Sequence, residues 1–368
     1  MPMYWHLKSW ESVDRERTID RIGALRKALA QAIPRRTAMD TLLLATWNLR
    51  DFDSNKFGHG PRLDESYHYI AEVIAAFDLV AIQEVNEDMR PFERVMGLLG
   101  PAWRYIATDL TEGTSGNGER MVFVYNADKV QFKHIAGEIV LPKSARVGGE
   151  DQFARTPFLV RFQSGWFKFY LCTVHLYYGA QSGEGYERRV KEIESIAKFL
   201  RKRAEKDGQN YIMLGDMNVV SPDDATMQAL KKHKFLLPSD LTLDAAPSRW
   251  VSNMGKDKHY DQIAFYVRKD ELELGPSPNN AGVFNYYEAL FPPEMAETYH
   301  ALSHGRGKWP DDPAKRETYY LKNWRTWQMS DHLPLWVELK IDFTDNYLAR
   351  IRAGTQPLAR PTPDATDS

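Results

Sequence analysis

Short apolar runs, each closed or opened by a residue able to bind a metal or move a proton, recur along this chain and limit what it can fold into. LLLATW (42–47) is followed by Asn48, LVAIQ (79–83) by Glu84, FKFYLCTV (167–174) by His175, and YIMLG (211–215) by Asp216. QIAFYV (262–267) is preceded by Asp261, and PLWVELKI (334–341) by Asp331 and His332. Runs of this length, rich in β-branched and aromatic residues, read as buried strands. Amphipathic helices fall between several of them. Tyr67, Ile70, Ile74 and Phe77 share one face within 63–77, and Tyr186, Val190, Ile193, Ala197 and Leu200 share another within 184–206. Ser221-Pro222 with Asp224 predicts a further helix start, with Ser221 as the cap. The alternation of helices and strands indicates α/β layers. Strands near 120–125, 157–163 and 167–174 have no good helix between them, so hairpins there predict a mixed sheet or a sandwich of two sheets.

The remainder divides around this pattern. Residues 1–40 read as an N-terminal helical extension: Ile22, Leu25, Leu29 and Ile33 line one face of a helix that Pro34 ends, and packing on the body is the expected use of that face. The main domain runs over 41–342. It carries an insertion at 270–329, rich in Pro, Gly, Tyr and Trp, whose Tyr286, Tyr287, Trp324 and Trp327 form either a wall over a substrate or, the favoured reading, a small subsidiary core. Residues 343–368 read as a C-terminal tail, with TQPLARPTPDATDS expected to be disordered.

Composition narrows the function. The 48 basic and 50 acidic residues nearly cancel, so a polyanion would not be held by charge alone. Either the contact is small or a bound metal supplies local positive charge. The single cysteine, Cys172, allows no intramolecular disulfide, which fits a reducing compartment. MPMYWHLKSW lacks the pattern of a secretory signal, and no stretch approaches the roughly 18 apolar residues of a membrane span. A cytoplasmic protein without membrane contact is expected, and no protein partner is predicted.

Each motif taken alone has a plain alternative. Asp or Asn after a strand is usually a turn residue, a lone His is usually a satisfied core residue, and Gly215-Asp216-Met217-Asn218 could be no more than an Asx-turn. Glu84 ends an otherwise buried run, so it must be paired with an arginine or bound to metal. Ser330-Asp331-His332 is the most specific sequence, because it sets a carboxylate and an imidazole side by side at the entry to a strand. The repetition is harder to dismiss than any one case, since strand ends of a layered fold converge on one edge where ligands bind.

In order, TWNLRDF (46–52), AIQEV (81–85), GERMVFVYN (118–126), ARTP (154–157), TVHL (173–176), LGDMN (214–218), HYDQI (259–263) and SDHLPL (330–335) resemble the endonuclease/exonuclease/phosphatase superfamily and, within it, the deoxyribonuclease-I-like branch. The resemblance implies a four-layer α/β/β/α sandwich, two mixed sheets packed face to face with helices outside. It implies a metal site of Glu84, Asn48 and Asp331, taking Mg2+ with Mn2+ or Ca2+ as substitutes. Asp216 and Asn218 resemble the pair that orients or deprotonates the attacking water. His332 with Asp261 and His175 with Glu119 resemble two catalytic histidine–carboxylate pairs, and Arg155 and Arg50 resemble phosphate-contacting arginines. A metal-dependent phosphodiesterase follows, with a nucleic acid as the expected substrate. Chemistry agrees: a divalent cation neutralises phosphate charge, a carboxylate fixes the tautomer of its histidine, and Arg offers a fork that matches phosphate.

Two positions depart from the branch. Asn117 and Asn86 stand where groove-reading Tyr and Arg are expected, so the chemistry is better founded than a duplex DNA substrate. The alternatives are a phosphatase or phosphodiesterase acting on a small phosphorylated metabolite or phospholipid headgroup, and an inactive binding protein, which would be expected to have lost site residues that this chain keeps.

Overall fold

The computed structural model describes residues 2–111, 118–142, 153, 155–179, 181–242, 246–268, 271–303 and 305–354. A 3-10 turn (Trp5–Ser9) leads into α1 (Ser12–Ala32), followed by β1 (Thr41–Phe52), α2 (Asp64–Ala75), β2 (Leu79–Asn86), α3 (Arg90–Leu99), β3 (Trp103–Ala107) and β4 (Glu119–Asn126). Next come β5 (Gln131–Glu138), β6 (Phe158–Ser164), β7 (Phe167–His175), α4 (Glu184–Asp207), β8 (Asn210–Asp216), α5 (Ala225–Lys232), α6 (Pro238–Leu241) and β9 (Asp261–Tyr266). The chain continues through β10 (Ala281–Val283), α7 (Tyr287–Leu290), α8 (Ala296–Ser303), α9 (Pro313–Tyr319), a π-helical turn (Tyr320–Trp324), α10 (Arg325–Gln328), β11 (Leu335–Lys340) and α11 (Thr344–Arg352).

The strands form two mixed sheets. One has the order β10-β11-β1-β2-β4-β3 and the other β5-β6-β7-β8-β9. β1 and β2 are parallel, as are β7 and β8; the other pairings are antiparallel. Period-2 alternation sends successive side chains to opposite faces. Leu42 and Leu44 of β1 face the second sheet, where they meet Val160, Leu171, Ile212 and Ile263. Leu43, Ala45 and Trp47 face outward beneath α1, α2 and α3, with Leu25, Ile70 and Val95. On the far side Cys172, Val174 and Met213 lie beneath α4 and α5, with Ile193, Ile196, Leu200 and Leu230. Three apolar cores between four layers make the α/β/β/α sandwich. Each fully buried Leu or Ile contributes about 1.5–3 kcal/mol by leaving water.

The N-terminal helix packs as its apolar face predicts: Ile22, Leu25, Leu29 and Ile33 are buried in the outer core of the first sheet. Charge pairs fasten its other side, with Arg17 Nη2 2.6 Å from Glu65 and Arg26 Nε 3.0 Å from Glu72. Tyr286, Tyr287 and Trp324 are buried in the same core, and Trp327 is buried with Nε1 donating to the Gly60 carbonyl at 2.7 Å. The insertion therefore extends the existing core, and these aromatic rings do not line a substrate wall.

One expectation is corrected. Asp224, not Ser221, caps α5, because its carboxylate accepts the N–H groups of Thr226 (3.0 Å) and Met227 (3.2 Å). The C-terminal segment begins with a helix, α11, which lies on the surface and buries none of its residues. The stretch 355–368 and Asn117 lie outside the described residues.

Candidate active site

The two sheets bring their chemistry to one shared edge. Register sets His175, Asp216 and Asp261 side by side across β7, β8 and β9. Asn48 of β1 and Glu84 of β2 come from the facing sheet, Glu119 opens β4, and an isolated bridge between Asn253 and His332 ties the segment before β11 to the same edge. Both central strands of the first sheet break register here, β1 between Asn48 and Phe52 and β2 between Ile82 and Val85. Such bulges re-aim side chains. Arg50, Asp51, Glu84 and Asn218 all adopt positive φ (48°, 50°, 62° and 51°), a conformation that costs non-glycine residues free energy and that the surrounding structure must impose.

Asp216 is the hub. Its Oδ2 lies 3.0 Å from Asn48 Nδ2, 3.6 Å from His175 Nε2 and 3.7 Å from His332 Nε2, while Oδ1 accepts the Asn218 N–H at 3.0 Å. Each histidine has a buried carboxylate behind it. His332 Nδ1 is 2.8 Å from Asp261 Oδ2, and His175 Nδ1 is 3.1 Å from Glu119 Oε2. Both Nε2 atoms are thus aimed at Asp216. Asn218 is buried, with its amide donating to the Leu176 carbonyl at 3.1 Å.

The electrostatics follow from these contacts. Burial alone would discharge His332, but Asp261, Asp216 and Asp331 outweigh it and hold its pKa well above the ordinary value. Burial also raises the Asp261 carboxyl. Both directions say that the His332–Asp261 pair keeps a proton at neutral pH. Burial would raise Glu119 as well, but His175 and Arg155 reverse it and hold that carboxyl at about 2.

The side chains named from sequence are not all placed alike. Glu84 Oε1 accepts the Asn48 amide at 2.7 Å and stands 3.7 Å from His175 Nε2, and its Oε2 accepts the Asp51 N–H at 2.7 Å. Asn48 presents its amide nitrogen to both Glu84 and Asp216, while its Oδ1 accepts the Arg50 N–H at 2.8 Å. The Asp331 side chain is 46% exposed and faces Arg50 Nε at 3.5 Å. Arg50 also donates to Thr326 Oγ1. Arg155 is only 5% exposed, and its Nε lies 2.8 Å from Glu119. It stands behind a histidine–carboxylate pair.

Sequence reasoning missed Asp51, which directly follows Arg50 in β1 and was assigned no role of its own. Its buried carboxylate takes Lys56 Nζ (3.0 Å), Asn86 Nδ2 (3.0 Å) and the Ser54 hydroxyl, while its N–H fixes Glu84. Asn86 therefore serves to hold this loop. Ser252, whose Oγ accepts the Asp261 N–H at 3.0 Å, and Ser330, whose Oγ donates to the Asn48 carbonyl at 2.6 Å, are buried supports of the same kind. The signal for Ser330 lay in its adjacency to Asp331-His332.

Among the described residues, two clusters have ligand atoms close enough to share an ion: Glu84 with His175 and Asp216, and Asp216 with Asp261 and His332. A model of the endonuclease/exonuclease/phosphatase family matches residues 45–320. The chain belongs to that family. Among curated proteins, a deoxyribonuclease of Thioalkalivibrio sp. (strain K90mix) is 29% identical over 266 residues, covering 69% of this chain and 66% of that protein. Deoxyribonuclease-1 of Gallus gallus is 26% identical over 140 residues, 37% of this chain and 47% of that protein. The family member thus spans about two thirds of the first relative's length and under half of the second's. Among solved structures, TDP2 from D. rerio complexed with a single-strand DNA product is similar with a TM-score of 0.53, at 14% identity over 81% of this chain and 98% of that one. A family protein from Leptotrichia buccalis C-1013-b gives 0.51, at 13% identity over 82% and 100%. These two share the fold. Among the described residues no helix is long and apolar enough to cross a membrane.

Proposed function

We propose that this family member is a divalent-metal-dependent phosphodiesterase that hydrolyses nucleic acid. The observation that carries the reading is the convergence of two carboxylate-backed histidines on one carboxylate, Asp216. The donor set suits a hard cation. Glu84 and Asp216 bring two carboxylates together with only an amide and imidazoles between them, an accumulation of oxygen and charge that Mg2+ or Ca2+ relieves. Glu84, with Asp216 beside it, would hold the ion. Asn48 would join through its oxygen only if its amide turned over, giving up the bond from the Arg50 N–H. A bound ion would supply Lewis-acid neutralisation of the phosphate.

The chain's own groups divide the remaining work. Asp216, held by Asn218 and Asn48, is placed to take a proton from a water. His332, kept cationic by Asp261, presents an N–H to the oxygen on which charge develops. His175, backed by Glu119 and Arg155, offers a second donor from the other side. Arg50 faces the mouth of the site beside Asp331 and is a phosphate contact; Arg155 acts through Glu119. The relatives' names, two deoxyribonucleases and a structure holding single-strand DNA, support a nucleic-acid substrate.

A second reading rests on a cleft of about 350 Å3 beside Asn218, lined by Tyr178, Gln181, Arg189 and Tyr260. It has the size and aromatic walls for the organic part of a small phosphoester. One experiment separates the two. Purified protein with Mg2+ is given plasmid, single-stranded DNA, RNA and a panel of phosphomonoesters, against EDTA and Glu84→Ala and His332→Ala controls. Metal-dependent cleavage of a nucleic acid that both variants lose is expected. Turnover of monoesters alone would favour the second reading, and activity unaffected by EDTA or by Glu84→Ala would overturn both.

A further inference from the structure

Beside the mouth of the site the loop 53–60 meets the insertion at 305–308, and the contact is close. A Cβ at Gly60 would lie 1.8 Å from the Arg306 carbonyl oxygen, and one at Gly307 would lie 2.6 Å from that of His59. His59 Nδ1 is 2.8 Å from Tyr319 OH, and Trp327 Nε1 holds the Gly60 carbonyl. On this braced ridge Phe57 is 40% exposed, with its ring centre 5.9 Å from that of Trp327 in an edge-on arrangement. The Arg50 guanidinium lies 5.5 Å from the ring centre and Lys56 Nζ 5.3 Å. Arg50 also reaches Asp331, so one side chain spans from the ring to the catalytic edge.

The charge of the ridge points outward. Its two acids are turned inward, Asp51 onto Lys56, Asn86 and Ser54, and Asp53 onto Arg62 and Tyr67. Arg306 and Lys308 are exposed. A partly exposed ring on a ridge that also carries the exposed cations Arg306 and Lys308, beside a phosphodiesterase site, suits a single strand: the exposed part of the ring stacks on an unpaired base and the cations take the phosphates. A duplex would keep its bases stacked on one another and offer the ring nothing.

We propose that Phe57, Arg306 and Lys308 form a guiding wall for single-stranded nucleic acid, with a base next to the reacting phosphate stacked on Phe57 and the adjoining phosphates on Arg306 and Lys308. This rests on the nuclease reading and names the substrate form. The test is equilibrium binding of a fluorescein-labelled single-stranded 12-mer, as DNA and as RNA, and of the same sequence as duplex, in EDTA. Phe57→Ala weakens single-strand binding about ten-fold, Phe57→Trp keeps the wild-type value, and duplex binding changes far less. Arg306→Gln with Lys308→Gln makes the salt dependence for single strands shallower by about 1.4 in log–log slope, the loss of two phosphate contacts. Hydrolysis of bis(4-nitrophenyl) phosphate, too small to reach the ridge, stays within about two-fold in all three variants. Unchanged single-strand binding in Phe57→Ala and in the charge variant overturns the wall, as does an equal loss on duplex or on the small ester. A wild-type protein that turns over the ester and no nucleic acid overturns the nuclease reading instead, and it does so independently of the binding result.

Discussion

The Arg155 guanidinium and the Glu119 carboxylate are both buried, 2.8 Å apart, with His175 Nδ1 on the far side of the same carboxylate. Removing one partner of a buried pair leaves the other uncompensated, which is more damaging than removing both. Arg155→Met should therefore cost about 3 kcal/mol in denaturant unfolding, and the double variant Arg155→Met/Glu119→Gln should cost less than the single one. A double loss equal to the sum of the singles would show that the two are not coupled. The other histidine gives a kinetic counterpart. Asp261→Asn leaves His332 without the charge that keeps it protonated, and kcat should fall about 10²- to 10⁴-fold. The fall should appear in kcat more than in KM, because Asp261 is wholly buried behind the imidazole. An Asp261→Asn enzyme with unchanged kcat would remove His332 from the role assigned to it.

Elements were legible from sequence where both of their faces are buried. β1, β2, β7, β8 and β11 carry almost unbroken buried patterns, and their apolar runs stand out against the polar residues that close them. β3, β5 and β10 were not foreseen, and all three are edge strands. An edge strand needs only one apolar face or none: β5 is exposed over most of its length and β10 has three residues. The same logic holds at the site. Residues at or near the ends of buried strands, such as Glu84, His175 and Asp216, were visible because a polar group there breaks a pattern. Asp51 was not, since it acts through backbone geometry, two successive positive φ angles, that no spacing announces. Capping was half legible, because SPDD offers more than one oxygen and only geometry picks Asp224. Asp224→Ala should cost about 1 kcal/mol in unfolding free energy, whereas Ser221→Ala should cost little. Equal costs would assign the cap to both. The insertion permits a sharper contrast. Trp324 lies wholly buried among Phe291, Tyr299 and Tyr320, so Trp324→Ala should lower stability by about 3–5 kcal/mol. A changed KM with an unchanged unfolding midpoint would mean that the insertion acts as a lid after all.

Across the whole molecule, the sandwich is enlarged twice, by the N-terminal segment and by the insertion, and a buried histidine sits at each seam. His68 of α2 lies under Tyr4 and Trp10, with ring centres 6.2 and 5.5 Å away, is 1% exposed, and has no hydrogen-bond partner for Nδ1 among the described residues. His59 lies between Tyr319 and Trp327 of the insertion. Burial depresses both pKa values to about 4, with Arg94 adding to the effect at His68 and Arg50 and Lys308 at His59. In the unfolded chain these imidazoles titrate near 6.5. Between pH 6.5 and 4 the unfolded state thus binds protons that the native state refuses, so stability falls as pH falls through that window and is fully present above it. From pH 7 to pH 5 the depressed value of His68 corresponds to about 2 kcal/mol. His59 contributes in the same direction. Thermal unfolding at pH 7 and pH 5 should therefore show an acid-labile wild type, and His68→Phe, which keeps an aromatic ring under Tyr4 and Trp10 but cannot take a proton, should lose distinctly less over the same interval. Glu72 works the other way over this interval, since burial raises its carboxyl to about 7 and the native state takes up that proton. If His68→Phe loses as much as the wild type, the histidine seam is not what acid opens.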